Sequence, residues 1–381
     1  MKPAYYTLGH TGLRVSRLAL GTMTFGTDWG WGADQSTARA LFDRYLASGG
    51  NVFDTADLYT NGASERWLGQ FVRDAGVRDK VVIASKFSYN GSPGDPNAGG
   101  NGRKHILAAV EGSLKRLGTD YIDLYLLHTW DRLTPAEEVM RTFDDLVRSG
   151  KVRHVGLSDV PAWYAARAQT IAEWRGYEKL SALQLEYSLV ERGIEDEFIP
   201  LGLALGMGTM VWSPLGSGLL SGKYKPSQGG TDAKGSGRLD TLAHAGNPGF
   251  AKFTERNFAI VAELEKVAKD LGRSMAQVAL NWVANRPGIA TVIIGATKLT
   301  QLEDNLGALD FELPAELRAR LDIASTTPPR FPYTFFAPGM QSMLTGGTVV
   351  GDKPASYHSP VLIDATPAGV REDKTAHVHK T

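Results

Sequence analysis

The chain has 381 residues, and its 43% hydrophobic and 22% charged content is typical of a globular protein with a large buried core. Its 41 Lys and Arg residues equal its 41 Asp and Glu residues, a balance that excludes a strong field for nucleic acid or an anionic membrane. It has no Cys, which excludes disulfides, thiolate metal sites and Cys nucleophiles. The N-terminal residues lack the apolar segment of a signal peptide and no apolar run would span a bilayer, so we expect a cytoplasmic protein.

Short apolar runs alternate with helical patterns along the chain, after a hairpin predicted within residues 5–16. Eight apolar runs predict strands, at residues 18–20, 52–53, 81–85, 122–127, 152–157, 183–185, 209–212 and 292–294. The helical patterns between them begin and end with capping residues, and we expect Ser36 and Thr134 to cap two of these helices.

The strict alternation of strands and helices predicts parallel strands joined by crossover helices. Eight such units close into an α/β fold of the (β/α)8 TIM barrel type, which leaves no edge strands. An open doubly wound sheet is the alternative, but residues 20–30 (LGTMTFGTDWG) lack the Gly-x-Gly-x-x-Gly pattern after the first strand. We expect one barrel over residues 1–325, closed at its bottom by the hairpin, and an irregular tail over residues 326–381.

Three ionisable residues end neighbouring predicted strands. Asp54 ends the second strand, Lys86 the third and His128 the fourth, while Tyr59 lies in the loop after Asp54. Active sites of such barrels lie at the carboxyl ends of the strands, so we expect these four side chains to converge. A Lys cation about 4 Å from a phenol favours the phenolate by about 4 kcal/mol at an effective dielectric of about 20, which would lower the Tyr59 pKa by about three units. Tyr59 is therefore the predicted proton donor, and no metal is expected.

Such a proton donor suits the reduction of a carbonyl, for which the hydride must come from a cofactor. Ser158, Asp159 and Gln184 suit hydrogen bonds to a nicotinamide carboxamide, and Trp212 suits stacking on the ring. The Gly-rich insertion over residues 214–250 and the helix after the eighth strand offer backbone amides and Lys side chains for a pyrophosphate.

Several motifs together resemble the aldo-keto reductase superfamily. They are FDTADLYTNGASERWLG, VVIASK, GSLKRLGTDYIDLYLLH, GKVRHVGLSD, LQLEYSL, VWSPLGSGLLSGKY and IIGATKLTQLEDN, spread over roughly residues 5–325. The GLLSGKY loop is similar to that of the bacterial general-stress-type and potassium-channel-subunit branches. The resemblance implies reversible, metal-free reduction of aldehydes and ketones by NAD(P)H, with NADPH favoured over NADH. It also implies a catalytic tetrad of Asp54, Tyr59, Lys86 and His128.

The resemblance further implies a set of cofactor-binding residues. They are Gly21, Thr22, Met23, Asp54, Ser158, Asp159, Gln184, Trp212, Ser213, Pro214, Leu215, Gly216, Gly218, Leu219, Lys223, Arg238, Ile294, Gly295, Thr297, Lys298, Gln301, Asp304 and Asn305. Among them Lys298, Lys223 and Arg238 would recognise a 2′-phosphate. The chain departs from the family pattern at two positions: Asp159 replaces the usual Asn, and Thr60 replaces the Gly that usually follows the Tyr.

The predicted substrate pocket is rich in aromatic rings. Its residues are Trp29, Trp31, Tyr59, Phe87, Tyr89, His128 and Trp130, and Phe331 and Phe335 of the tail either join it or form a homo-oligomer contact. These rings favour a hydrophobic or bulky carbonyl compound, such as a steroid-like or mycotoxin ketone, as the small-molecule partner. Two alternatives stay open: an NADPH-binding, redox-sensing regulatory subunit with little turnover, and a Schiff-base aldolase that uses Lys86.

Overall fold

A computed structural model describes residues 5–226, 233–234, 239 and 248–348 of the chain. Its strands are β1 (Tyr5–Thr7), β2 (Arg14–Ser16), β3 (Leu18–Gly21), β4 (Val52–Asp54), β5 (Val82–Phe87), β6 (Ile122–Leu127), β7 (Val152–Ser158), β8 (Leu180–Glu186), β9 (Gly208–Trp212), β10 (Lys225–Pro226), β11 (Ala233–Lys234) and β12 (Ile289–Ile294). Its α-helices are α1 (Gln35–Ala47), α2 (Ala63–Ala75), α3 (Arg103–Leu117), α4 (Ala136–Arg148), α5 (Ala162–Arg175), α6 (Phe198–Leu205), α7 (Glu255–Leu271), α8 (Met275–Ala284), α9 (Leu299–Leu306), α10 (Ala315–Ala324) and α11 (Pro338–Leu344). None of the helices in these described ranges is long and apolar enough to cross a membrane.

Eight of the strands close into a parallel barrel in the order β12-β3-β4-β5-β6-β7-β8-β9. The circle closes at Val292 of β12, which pairs with Leu18 of β3 on one side and with Val211 of β9 on the other. At least one helix follows each barrel strand along the chain. The (β/α)8 fold predicted from the alternating pattern is therefore confirmed, and the open sheet was the wrong alternative.

The N-terminal hairpin closes the bottom of the barrel. β1 and β2 pair antiparallel, and Leu8 in the connecting turn is fully buried in the same apolar cluster as Val52 and Val82, which begin β4 and β5. The turn requires Gly9, because its φ is +57° and a Cβ there would lie 2.3 Å from the carbonyl oxygen of Gly206. The opposite end of the barrel, where the strands finish, is left as the mouth.

Alternate residues of each strand serve two separate apolar cores. In β5, Val82 and Ala84 pack inside the barrel, whereas Ile83 and Phe87 pack between the barrel and its helices. Lys86 continues the inward-facing row, and for this reason its side chain rises into the mouth. Burying a large apolar side chain contributes about 1.5–3 kcal/mol, so both cores fix this alternation.

Both predicted helix caps were wrong. α1 begins after Asp34, whose carboxylate accepts a hydrogen bond from the backbone N–H of Thr37 at 2.8 Å, and Ser36 lies inside the helix. α4 begins after Pro135 without a side-chain cap, so Thr134 lies one residue too early. In each case the helix starts within two residues of the prediction.

The first part of the tail contains two short elements. Residues 326–348 contain a 3-10 turn (Tyr333–Phe336) and α11, while residues 349–381 lie outside the described ranges. Arg192, in the loop after β8, binds Ser325 Oγ at 2.9 Å and ties the start of the tail to the barrel. Phe331 is 82% exposed and contacts Phe335 edge to face, so these rings do not form a buried pocket wall.

Candidate active site

Lys86 is the centre of a buried polar cluster in the barrel mouth. Its ammonium donates three hydrogen bonds, to Asp54 Oδ1 (2.7 Å), to the backbone oxygen of Thr55 (2.8 Å) and to Tyr59 Oη (3.1 Å). Lys86 is fully buried and Asp54 is 3% exposed. From the opposite wall, Gln184 Nε2 donates to the second carboxylate oxygen of Asp54 at 2.7 Å. The side chains that the sequence predicted to converge do converge.

The cluster keeps Lys86 positively charged. Burial alone would lower the pKa of Lys86, but the charge of Asp54, with a further contribution from Tyr59, raises it above its ordinary value. A cation that touches a phenol oxygen favours the phenolate, because the negative charge forms beside it. Lys86 is therefore in position to stabilise negative charge on Tyr59 Oη.

A strained turn directly after Tyr59 aims its ring into the mouth. Thr60, Asn61 and Gly62 all have left-handed φ angles, of 46°, 53° and 78°. Only Gly adopts this conformation without strain. Thr60 compensates with a hydrogen bond of 2.6 Å from its Oγ1 to the backbone oxygen of Phe25, which fastens the turn to the loop after β3.

His128 directly follows β6 and faces Tyr59. The two ring centroids are 5.8 Å apart in a T-shaped contact. Burial, and then the charge of Lys86, lower the pKa of His128 well below its ordinary value, so the imidazole is neutral. Its buried Nδ1 has no hydrogen-bond partner among the described residues. A neutral imidazole can donate to or accept from a substrate oxygen.

Aromatic rings line the mouth around this pair. Trp29 lies 6.4 Å from the ring of Tyr59 and 5.6 Å from that of Trp31, and Tyr89 lies 5.0 Å from the ring of His128. Of the predicted pocket rings, Trp29 thus lies beside Tyr59, Trp31 beside Trp29, and Tyr89 beside His128. They make the approach to Tyr59 largely apolar.

Phe87 was wrongly predicted to line the pocket. It is fully buried on the helix side of β5, with its ring 5.1 Å from Tyr125 and 6.0 Å from Phe143. The reason is the two-residue period of a strand: Lys86 points inward, so Phe87 must point outward. Trp130 lies to one side of the mouth, where it packs against Trp163 (5.5 Å).

The other half of the mouth carries the groups predicted for a nicotinamide. Ser158 ends β7, and its buried Oγ has no hydrogen-bond partner among the described residues. Asp159 follows with a left-handed φ of 45°, and its Oδ1 accepts a hydrogen bond from Trp212 Nε1 at 3.1 Å. The half-exposed indole ring, the orphaned hydroxyl and the carboxylate fit a carboxamide and its ring. Gln184 differs, because its amide nitrogen is already bound to Asp54.

Asp159 titrates near neutrality. The residue is exposed at the mouth, but the surrounding walls displace water from its carboxylate, and this desolvation raises the pKa of Asp159 to about 7. The hydrogen bond from Trp212 acts in the opposite direction, Glu186 raises the pKa further, and the charge of Lys86 lowers it.

The backbone amides of the Gly-rich loop after β9 form hydrogen bonds within the loop itself. The backbone N–H groups of Gly216, Ser217 and Gly218 donate to the Ser213 carbonyl, the Ser213 hydroxyl and the Leu215 carbonyl. The loop is thereby held in left-handed turns at Ser213, Gly216, Ser217 and Gly218. Because these backbone amides are already hydrogen-bonded, the side chains of the loop are better candidates than its amides for binding a phosphate.

The start of α9 is the second predicted phosphate region. Lys298 immediately precedes the helix and is exposed. The N–H of Thr297 donates to Gln301 Oε1 at 2.9 Å, and Asn305 Nδ2 donates to the Gly295 carbonyl at 3.4 Å. These contacts fix the helix start against the end of β12.

The remaining predicted cofactor residues lie in different surroundings. The side chains of Ile294 and Leu219 are buried in the core between barrel and helices, so only the backbone of these residues could face a cofactor. Gly21, Thr22, Met23 and Pro214 lie at or beneath the mouth: Gly21 ends β3, Thr22 Oγ1 donates to the Asp54 carbonyl, Met23 is half-buried and Pro214 is buried. Lys223 lies over the ring of Tyr224 after the Gly-rich loop, and Asp304 accepts a hydrogen bond from Ser274 Oγ. Arg238 lies outside the described residues.

The sequence analysis missed three charged groups beside the mouth. Glu186 ends β8 and pairs with Lys252 at 2.7 Å; the argument from strand ends would have found Glu186, but nothing local marks Lys252. Asp57, between Asp54 and Tyr59, has a buried Oδ1 without a hydrogen-bond partner among the described residues. Burial, and then the charge of Glu65, raise the pKa of Asp57 to about 7.

Fold and site together define a class: a (β/α)8 barrel with a buried Asp–Lys–Tyr cluster and a neutral His at the carboxyl ends of neighbouring strands. The family model described as the Aldo/keto reductase family matches residues 17–326. The chain belongs to this family, as its motifs indicated, and is an oxidoreductase.

Several related proteins align with the chain over most of its length. The chain is 39% identical to an uncharacterised oxidoreductase, YrpG, of Bacillus subtilis (strain 168), over 84% of this chain and 94% of that protein. It is 38% identical to a probable voltage-gated potassium channel subunit beta of Oryza sativa subsp. japonica, over 80% and 91% of the two chains. It is 34% identical to the norsolorinic acid reductase stcV of Emericella nidulans, over 80% and 77%.

Proposed function

We propose that the protein is an NADPH-dependent reductase of aldehydes and ketones, with Tyr59 as the general acid. The observation that carries this proposal is the hydrogen bond of 3.1 Å between Lys86 Nζ and Tyr59 Oη, inside a cluster that fixes the ammonium from three sides. Reduction of a carbonyl needs a hydride at carbon and a proton at oxygen. Tyr59 is the group placed to give the proton.

When bound, a reduced nicotinamide cofactor supplies the hydride. Ser158, Asp159 and Trp212 would hold its nicotinamide end, because they offer a hydroxyl, a carboxylate and a ring face at one place in the mouth. Lys298 would face a 2′-phosphate, since it is exposed at a helix start, where both its charge and the backbone dipole attract anions. This supports NADPH over NADH.

The residues of the cluster divide the work of proton transfer. The substrate oxygen would lie between Tyr59 Oη and His128, where the neutral imidazole orients it. As the proton leaves, Lys86 stabilises the phenolate that forms, and Asp54 with Gln184 keeps Lys86 in place. The rings of Trp29 and Tyr89 keep bulk water from the reacting oxygen.

The aromatic wall supports a hydrophobic or bulky carbonyl substrate. Three rings, Trp29, Trp31 and Tyr89, stand around Tyr59 and His128 and offer flat apolar contact area. Relatives from Aspergillus and Emericella species that are named norsolorinic acid reductases support the same substrate class. We therefore propose an aryl or polycyclic ketone or aldehyde.

Two other functions make different demands on this site. A redox-sensing regulatory subunit is supported by the relative named as a probable channel subunit beta, but such a subunit has no need of a complete proton-donating cluster. A Schiff-base aldolase needs a Lys that readily loses its proton, whereas Lys86 is held as a cation by Asp54.

The test compares binding with turnover on the full chain. NADPH and NADH are titrated by calorimetry, and NADPH oxidation is then followed with a panel of aryl, polycyclic and short aliphatic carbonyl compounds. We expect tighter NADPH binding and fastest turnover of the aryl or polycyclic members. Tight NADPH binding without turnover of any panel member would instead support the regulatory subunit. Trapping of a carbonyl compound on Lys86 by borohydride would support the aldolase.

A further inference from the structure

Asp159 puts a carboxylate where the proposed function places the nicotinamide ring. Its Oδ1 accepts the hydrogen bond from Trp212 Nε1 at 3.1 Å, so the carboxylate lies at the edge of the indole ring that would stack on the nicotinamide. The orphaned hydroxyl of Ser158 lies next to it in the chain. A left-handed φ of 45°, which Asp and Asn tolerate better than most residues, aims the side chain into this corner.

The other charges around Asp159 leave its carboxylate available to a cation. Glu186 is already paired with Lys252 at 2.7 Å, and Lys86 is already shared by Asp54 and Tyr59. The remaining neighbours that face Asp159 are Trp212, Ser158 and the phenol of Tyr89. None of the three carries a positive charge.

The two redox forms of a nicotinamide differ in charge. The oxidised ring is a cation and the reduced ring is neutral, whereas the rest of the dinucleotide is the same in both. A neutral amide at position 159 would interact with both rings similarly, but a carboxylate attracts the cation. In a partly desolvated site this attraction is larger than in water.

We propose that Asp159 makes the site discriminate between the redox forms of its cofactor, binding the oxidised form more tightly than an amide at the same position would. This inference rests on the proposed function, because it needs a nicotinamide in the corner formed by Ser158, Asp159 and Trp212. It makes Asp159 a specificity-determining residue for the cofactor's redox state. It also makes bound NADPH a stronger reductant, because the site stabilises the product form of the cofactor.

The discrimination depends on pH. The carboxylate exists above about pH 7 and is lost as the pH falls, because the pKa of Asp159 is about 7. Binding of the oxidised cofactor below that pH must then release a proton from Asp159, whereas binding of the reduced cofactor need not. Protons linked to the 2′-phosphate are common to both forms and cancel in their difference.

The experiment measures the Kd of NADP+ and of NADPH by calorimetry for the full-length protein, Asp159→Asn and Asp28→Asn. Asn keeps the shape and the left-handed backbone at position 159, and Asp28→Asn removes an exposed carboxylate from the rim loop after β3 as the matched control. We expect Asp159→Asn to shift the ratio of the two Kd values by about tenfold toward NADPH at about pH 8. Asp28→Asn is expected to leave the ratio unchanged.

A second readout needs no variant. Titrating the unaltered protein at about pH 6.5 in buffers of different ionisation enthalpy gives the protons released, and NADP+ is expected to release more than NADPH. Equal ratios in Asp159→Asn and the unaltered protein would overturn the inference while leaving the reductase proposal standing, and equal proton release by both forms would overturn its dependence on pH. Failure of the unaltered protein to bind either form would overturn both.

Discussion

The two halves of the barrel mouth are built in opposite ways. On the side of β4 and β5, Asp54, Lys86 and Tyr59 are buried and joined by hydrogen bonds of 2.7 Å and 3.1 Å. On the side of β7, β9 and β12, Trp212 is half-exposed and Lys298 is exposed, and the hydroxyl of Ser158 has no partner among the described residues. We call the first half, which contains Asp54, Tyr59 and Lys86, the closed half, because its groups are buried and bonded to one another. We call the second half, which contains Ser158, Trp212 and Lys298, the open half, because two of these residues are accessible to solvent.

The difference follows from what each half has to do in the proposed reaction. Proton transfer needs groups held at fixed distances in a dry environment, because electrostatic stabilisation is strongest where nothing must reorganise. Binding and release of a large dinucleotide need an open groove. The structure therefore places rigidity in the cluster around Lys86 and accessibility along the strands that follow it.

The largest expected effect comes from removing the hydroxyl of Tyr59 from the closed half. Tyr59→Phe keeps the ring but removes the proton, so we expect carbonyl reduction to fall by about 10²–10⁴-fold. Because Tyr59 belongs to the closed half, NADPH binding is expected to stay the same in calorimetry. Tyr6→Phe, on the hairpin at the barrel bottom, is the matched control and should reduce carbonyls at the normal rate. Normal activity in Tyr59→Phe would refute its role as the general acid.

The next effect concerns the stability of the same half. Lys86→Met leaves the carboxylate of Asp54 buried without its cation, which we expect to destabilise the fold by about 3–5 kcal/mol in urea denaturation. The double variant with Asp54→Asn removes both charges and is expected to recover much of this loss. If the single and double variants unfold at the same urea concentration, the ion pair is not what holds the closed half together.

A smaller effect comes from Asp57, the carboxylate beside the cluster whose buried Oδ1 has no hydrogen-bond partner among the described residues. Its pKa is about 7 in the folded protein and close to 3.8 ordinarily, so between these values the unfolded chain loses a proton that the folded protein keeps. Stability is therefore present in full below about pH 4 and decreases as the pH rises through about 7. We expect Asp57→Asn to be about 2 kcal/mol more stable than the unaltered protein at about pH 8, and equally stable at about pH 4. Parallel stability curves over this range would contradict the prediction.

The smallest effect concerns the open half. Trp212→Ala removes the ring proposed to stack on the nicotinamide, and we expect NADPH binding to weaken by about tenfold, since such contacts contribute about 0.5–1.5 kcal/mol beyond their buried area. The free energy of unfolding is expected to change little, because Trp212 is half-exposed. Trp174→Ala, which removes a ring that is 85% exposed on α5, is the matched control. Equal Kd values for the two variants would show that Trp212 does not contact the cofactor.

Much of the site could be read from position along the chain. Asp54, Lys86 and His128 come at the ends of consecutive strands, and parallel strands in a closed barrel must bring such residues to one rim. Phe87 does not face the mouth because it was chosen for its place at a strand end, without the two-residue alternation that turns neighbouring side chains to opposite faces. Applying that alternation to VVIASKF would have separated Lys86 from Phe87.

The sequence by itself determined the eight-unit barrel, the family and the residues that meet in the buried cluster around Lys86, because these depend on periodicity and order, which are properties of the chain. Only the tertiary structure decided the electrostatics of the mouth. Packing between elements distant in sequence brings Lys252 to Glu186 and Trp212 to Asp159, and within the described part of the chain it leaves the Oδ1 of Asp57 buried without a hydrogen-bond donor. The pKa of a carboxyl depends on burial and on charges within a few ångströms, and a linear sequence does not specify those distances.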